Sequence, residues 1–190
     1  MRLVVGISGA TGSIYGVRLL GVLKEKKIET HVIISSTSKK IIPQETSYSL
    51  KEVERLASYV HPSEDLAAPI SSGSFKTDGM IVLPCSIKTL SGIAHSYNDN
   101  LMTRAADVTL KERRKLVLAV RETPLHQGHL ELMLQASRMG AILFPPLPAF
   151  YFNPKTIDDL INHTVGKILD LFDITHNLFR RWGTLPTEKV

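Results

Sequence analysis

Five times along this chain a short, unbroken apolar run gives way to a stretch of helical period. The runs are "RLVVGI" (2–7), "ETHVIISS" (29–36), "DGMIVLPCS" (78–86), "KLVLAV" (115–120) and "AILFP" (141–145). A strand covered on both faces need not alternate apolar with polar residues, so these runs predict strands held between two layers. Pro84 is expected to end the third of them. In "SIYGVRLLGVLKEK" (13–26), Ile14, Val17, Leu20 and Leu23 share one helix face. Further helices are expected over 49–60 (opened by a Ser49 cap), 86–96, 99–114, 129–140 (stopped by Gly140) and 156–174. Strands alternating with helices make right-handed βαβ units, hence an α/β fold of three layers with a parallel sheet and helices on both faces. With 190 residues the chain is expected to form one domain over 1–190, with a C-terminal tail from about residue 180. Two segments interrupt the pattern. "EDLAAPISSGSFKT" (64–77) is a Ser/Gly loop, and the Pro- and aromatic-rich "PPLPAFYFNP" (145–154) cannot be a regular helix.

In a Rossmann-like (flavodoxin-like) sheet of this kind, ligands bind beyond the carboxyl ends of the strands. Those ends deliver Ser8–Thr11, Ser35–Ser36, Cys85–Thr89, Arg121–Glu122 and Pro145–Phe152. The first loop reads Gly6-x-x-Gly9-x-x-Gly12. It is neither the dinucleotide pattern G-x-G-x-x-G nor a P-loop, because Ser13 and not Lys follows Gly12. The second strand ends in "IISSTSK", hydroxyls without the acid that would hold a ribose. NAD and ATP are therefore disfavoured, and a ligand with one phosphate, such as FMN, is expected; the alternative is a tight strand–helix turn with no ligand. Ser86, with Thr89 one turn on, is either a plain helix cap or a second set of phosphate donors. Arg121 ends a buried strand where a guanidinium can grip phosphate with two bonds. Arg104 and Lys111 are seven residues apart and share a helix face, while Arg113, Arg114 and Lys115 read as solvated. Cys85 reads as a packed thiol. Glu45, in "PQETS", reads from the residues alone as a solvated loop acid.

The net charge of +5 favours anionic partners. Nucleic acid is not expected, since the aromatics gather at Phe150, Tyr151 and Phe152 in a Pro-rich loop and not along a basic stripe. One cysteine permits no internal disulfide and no Cys zinc cluster, which suits a reducing, cytoplasmic setting. The opening "MRLVVGISG" is too brief and Gly-rich for a signal peptide, and no apolar run is long enough for a membrane span. The seven histidines show no H-E-x-x-H, so no metal site is expected, and no G-x-S-x-G marks a hydrolase serine.

Three blocks, "GISGATGSIYGVRLL", "PCSIKTLSGIAHSYNDNLMTRAADVTLKERRKLVLAVRETPLHQGHL" and "GAILFPPLPAFYFNP", closely resemble the UbiX-type flavin prenyltransferases. The resemblance runs from Met1 through Trp182. It implies transfer of a dimethylallyl group from dimethylallyl phosphate to N5 and then C6 of reduced FMN, without a metal. The prenylated FMN would then pass to a UbiD-type decarboxylase in ubiquinone synthesis or aromatic acid metabolism. It implies a flavin site at Gly9, Ala10, Thr11, Ser35, Ser86, Ile87, Lys88, Thr89 and Arg121. The prenyl phosphate site would hold Lys111, Glu122, Tyr151 and Lys167, with Arg104 as a weaker candidate. Glu45 matches the family's essential acid, which reverses the solvated reading, and Thr11 stands where members often carry Ser. Trp182 matches the tryptophan near the prenyl group. Lys167 replaces the Arg of other members and so loses a bidentate fork. The resemblance also implies a homododecamer with sites where subunits meet, and the tail 184–190 is expected to be poorly ordered until docked. Two other readings remain: an FMN-dependent decarboxylase of cysteine peptides, against which Tyr15 and the lack of a histidine in the first helix region count, and a non-catalytic flavin carrier.

Overall fold

The computed structural model describes residues 1–183, so the expectation for the tail 184–190 lies outside the described residues. Two compact units emerge, Met1–Pro145 and Pro146–Val190. The first holds the sheet. Its strands are β1 (Arg2–Ile7), β2 (Glu29–Ile34), β3 (Tyr59–His61), β4 (Gly79–Cys85), β5 (Lys115–Val120) and β6 (Ile142–Leu143), all parallel, in the order β3-β2-β1-β4-β5-β6. Its helices are α1 (Ser13–Glu25), α2 (Ser36–Glu45), α3 (Leu50–Glu54), α4 (Ile87–Ala94), α5 (Leu101–Lys111) and α6 (Gln127–Arg138).

The five expected strands and the parallel, doubly covered sheet are present, and three local expectations are corrected. The helix expected over 49–60 stops at Glu54. Ser49 does open it, in a capping box with Glu52, but "YVH" leaves it to pair with β2 at the sheet edge as a sixth strand. The segment after β2 is a helix, α2, capped by the Ser35 side chain, which accepts from the Ser38 N–H. Its sequence "STSKKIIPQE" hides it, because Pro43 lies inside it and only Ser38 and Ile42 are buried. Finally, β4 runs on through Pro84 to Cys85. Proline has no N–H for the ladder, and the pairing with β5 shifts register between Val82 and Cys85, where that loss is absorbed.

Strand residues divide between the two faces. Val4, Met80, Val82, Leu116, Leu118 and Val120 join Leu90, Ile93, Leu101, Met102 and Ala105 of α4 and α5 in one core. On the other face α1 lies so close that a Cβ at Gly16 would come within 2.5 Å of the Leu83 carbonyl oxygen and 3.0 Å of Ile7 Cδ1. Arg114, expected to be solvated, instead holds the 72–77 loop. Its guanidinium donates to the carbonyls of Gly73 (2.7 Å) and Phe75 (2.9 Å) and to the Thr77 hydroxyl (3.3 Å). In the second unit α7 (Ile157–Leu171) starts at Thr156 in a capping box with Asp159, and 145–154 is irregular as its composition dictates.

Gly16→Ala will destabilise the protein by about 2 kcal/mol through overpacking. Gly21→Ala, in the same helix with nothing within 4 Å of the new Cβ, will stabilise it by about 0.5–1 kcal/mol. Urea unfolding midpoints of the two variants, shifted in opposite directions, check this.

Candidate functional site

β1 sits mid-sheet, with β2 on one side and β4 on the other, so the chain reverses its direction of travel across the sheet at this point. A crevice opens at the carboxyl ends of strands at such a switch. Ser8, fully buried, ties its two sides together. Its hydroxyl donates to the Pro84 carbonyl (3.0 Å) and accepts from the Ser86 N–H (2.7 Å). Beside this tie lies a cavity of about 900 Å³, within the size range of small-molecule sites. It is lined by Gly9 after β1, Ser35–Thr37 after β2, Ser86–Thr89 after β4 and Glu122 after β5. Gly9 is the close-approach position: a Cβ there would sit 2.7 Å from Thr37.

Two helices begin at this wall. α4 is capped by Ser86, whose side chain accepts from the Thr89 N–H and donates to the Thr89 hydroxyl. α2 is capped by Ser35. Helix starts present backbone N–H groups and a positive dipole end to an anion. The hydroxyls of Ser36 and Thr37 stand beside one of them, and Ile87 and Met102 give the cavity apolar wall. Polar starts for one phosphate and apolar wall for a ring suit the mononucleotide expected from the sequence. Ser86 is thus both a cap and a lining residue, so the two readings of it are compatible.

The start of α1 is filled by the chain itself. Glu45 closes α2, and its Oε2 accepts from the Gly12 N–H (2.9 Å), the Ser13 N–H (3.1 Å) and the Ser13 hydroxyl (2.9 Å). Gly12 supplies the left-handed turn (φ 93°) that aims these groups. Partial burial works to raise the Glu45 pKa, but the bonds from the Thr11 hydroxyl, from Ser13 and from the Gly12 N–H outweigh it and hold the carboxyl below its usual range. Exposed, yet held at the end of a helix and not free in a loop, Glu45 is the anion that the Gly-rich turn grips.

The other residues singled out from the sequence divide into groups. Gly9, Ser35, Ser86, Ile87, Lys88, Thr89 and Glu122 come together around the cavity. Thr11 reaches Glu45, whereas Ala10 and Arg121 neighbour lining residues without lining it. The Arg121 N–H donates to the Cys85 carbonyl. Arg104 follows the lining residue Thr103 with its side chain engaged elsewhere, and Lys111 stands apart. Arg104 donates to the Ser71 carbonyl and pairs with Asp107, and Lys111 pairs with Glu112 beside Gly73. Lys111 ends α5 about 13 Å along its axis from the cavity-lining Met102. Cys85 is fully buried, and burial pushes its thiol up to about 12, so it is a packed group and no nucleophile. Among the described residues no cluster of three or more His, Cys, Asp or Glu could hold a metal ion, and no helix is long and apolar enough to cross a membrane.

In the second unit Tyr151, Lys167 and Trp182 share one network. The Tyr151 hydroxyl is 3.0 Å from His163 Nε2, and its ring meets Trp182 edge-on at 5.6 Å. Lys167 lies one turn before Asp170, with its amine 3.8 Å from the carboxylate. Burial, and then the Lys167 charge, lower the His163 pKa and favour its neutral form. Sequence reasoning missed His163, Asp170, His176 and Arg181. The one available signal was the three-residue spacing from Lys167 to Asp170, which places both on one helix face.

Comparison with known proteins follows the same line. Residues 1–181 match the family model described as Flavoprotein. The chain is 60% identical over 184 residues to a flavin prenyltransferase UbiX of Salmonella typhimurium, covering 95% of this chain and 97% of that one. Among solved structures, AnUbiX in complex with FMN and dimethylallyl pyrophosphate superposes with a TM-score of 0.94 at 51% identity, covering 95% of this chain and 96% of that one. A dodecameric FMN-dependent UbiX-like decarboxylase from Escherichia coli O157:H7 gives 0.94 at 54%, covering 96% and 99%.

Two outcomes are expected. Cys85 will resist alkylation in the folded protein at pH 8 and react once the chain is unfolded, as read by mass spectrometry. Glu45 stabilises the fold fully above the ordinary glutamate value of 4.5 and loses that effect as pH falls through its lower folded value. Because Glu45 is exposed and water screens its charge, Glu45→Gln will cost only about 0.5 kcal/mol at pH 7, and its gap to the parent will shrink towards pH 3 in urea unfolding.

Proposed function

The chain belongs to the flavoprotein family and, within it, to the UbiX flavin prenyltransferases; on that premise we propose that it joins a dimethylallyl group from dimethylallyl phosphate to N5 and C6 of reduced FMN. The prenylated FMN then passes to a UbiD-type decarboxylase. In this reading the chain works as a single FMN-binding domain, in the cytoplasm, within a homododecamer. The observation that carries it is identity to flavin prenyltransferases over nearly the whole length of both chains. The cavity at the switch point of the sheet, with its hydroxyls and helix starts, supports it.

Each group then has a task. Gly9, Ala10 and Thr11, Ser35, Ser86 to Thr89 and Arg121 hold the flavin, with its phosphate against the starts of α2 and α4, because the start of α1 is taken by Glu45. The reduced flavin supplies the nucleophilic nitrogen and ring carbon. An alkyl phosphate leaves only if its growing charge is met, and Lys167, Lys111, Arg104 and the Tyr151 hydroxyl are fixed donors for that charge. Glu122, which lines the cavity, stands on the acceptor's side of the reaction. Lys111 ends α5 away from the cavity, so it serves a neighbouring copy's site, with Arg104 as the weaker candidate beside it; the dodecameric state of the Escherichia coli relative supports this. The face of Trp182 stabilises the allylic carbon as it becomes cation-like. The carboxylate of Glu45, bonded to the Thr11 hydroxyl, moves protons at the acceptor through that hydroxyl.

The protein, incubated without oxygen with FMN, a reductant and dimethylallyl phosphate, will yield flavin heavier by one C5H8 unit in the mass spectrum. Glu45→Gln will keep FMN binding and lose transfer by about a hundredfold or more. Unchanged FMN from the parent, with binding confirmed and dimethylallyl pyrophosphate equally inert, would sink the proposal. Transfer from the pyrophosphate alone would correct the donor.

A further inference from the structure

Lys167 and Trp182 enter the second unit from different places, one on α7 and the other on the segment that follows it. Asp170 connects them. Its Oδ1 accepts from Arg181 Nη2 (2.7 Å) and its Oδ2 from Arg181 Nη1 (3.0 Å), a two-bond fork. His176 Nε2 lies 3.1 Å from the same Oδ1. His176 Nδ1 accepts from the Leu178 N–H (3.2 Å), so its proton is on Nε2 and is donated to Asp170. One carboxylate thus holds the returning chain at residues 176 and 181. Gly166 makes the return possible, since a Cβ there would strike His176 and Phe179 at 2.6 Å.

Trp182 follows Arg181 directly. It is 75% exposed and meets Tyr151 edge-on. A ring so exposed has little packing of its own to fix it, so its place depends on how the backbone beside it is tied. The fork from Arg181 is that tie. Meanwhile Lys167, at 3.8 Å, is beyond hydrogen-bond distance of a carboxylate already met by three N–H groups.

We propose that Asp170 is a positioning residue for prenyl transfer. By gripping Arg181 with both oxygens it sets Trp182 against Tyr151, and because it holds Lys167 only as a long ion pair at 3.8 Å, the ammonium can turn to the phosphate of the prenyl donor. The assignment rests on the proposed roles of Trp182 and Lys167.

The chain has a single tryptophan, so tryptophan emission reports on residue 182 alone. The test uses the assembled protein with Arg181→Gln, Arg181→Lys and Asp170→Asn. Arg181 is half exposed, so its variants fold even if Asp170→Asn does not. Tryptophan anisotropy will fall in Arg181→Gln, and KM for dimethylallyl phosphate will rise about tenfold, while FMN affinity stays at the parental value. Arg181→Lys will fall between, since a point charge cannot form the fork. Parental anisotropy, or lowered anisotropy with parental KM, overturns the assignment. Trp182→Leu separates the two levels of the argument. If it transfers with parental KM and kcat, the role given to Trp182 fails, whatever the anisotropy shows about what places the ring.

Discussion

The hydroxyl of Ser8 holds the two sides of the crevice in register. It is buried, it donates to the Pro84 carbonyl and it accepts from the Ser86 N–H, and the Ser8 N–H reaches the same Pro84 carbonyl. A hydroxyl is one of the few small groups able to do both at once. A methyl in its place would leave a buried N–H without its acceptor, and unmade bonds of that kind cost more than made ones contribute. The start of α4 follows from this tie, because Ser86 is both the residue it holds and the cap of that helix. The first loop is held at its other end by Glu45. The cavity wall is therefore a chain of satisfied polar groups running from β1 through β4.

How much of this was legible follows from where each signal comes from. The sheet was legible because a strand buried on both faces writes its burial into its own residues. α1, α4, α5 and α7 were legible because each lays a continuous apolar stripe on a neighbour. The helix α2 was not. It buries two side chains, and its ends are secured by Ser35 and by the carboxylate of Glu45 reaching back 33 residues to Gly12. β3 was hidden for a similar reason: three residues become a strand because the open edge of β2 receives them. The hydroxyls at the strand ends could be listed from topology alone. The grip on Glu45 could not, since it arises from a contact that no local pattern encodes, and of the Asp170 network only the Lys167–Asp170 spacing is written locally.

The excess of basic residues carries a related lesson. A net positive charge pointed to anionic partners, yet part of it serves the fold. Arg114 donates to two carbonyls and a hydroxyl of the 72–77 loop. Arg2 pairs with Glu29, donates to the Lys76 carbonyl and stacks its guanidinium over Phe75 at 4.5 Å. Arginine suits this work because its fork meets several carbonyls at once while its plane lies on a ring. Charge counted from composition thus overstates what remains for a ligand.

Glu45 at the start of α1 has a consequence for selectivity among anions. A carboxylate tethered to the chain acts at an effective concentration in the millimolar range or above. Inorganic phosphate, sulfate or a nucleotide in solution must displace it to use the Gly12 and Ser13 donors. The Gly-rich turn is in this sense self-inhibited towards stray anions. It also keeps its shape between encounters, so no arriving molecule has to supply the ordering entropy of that loop.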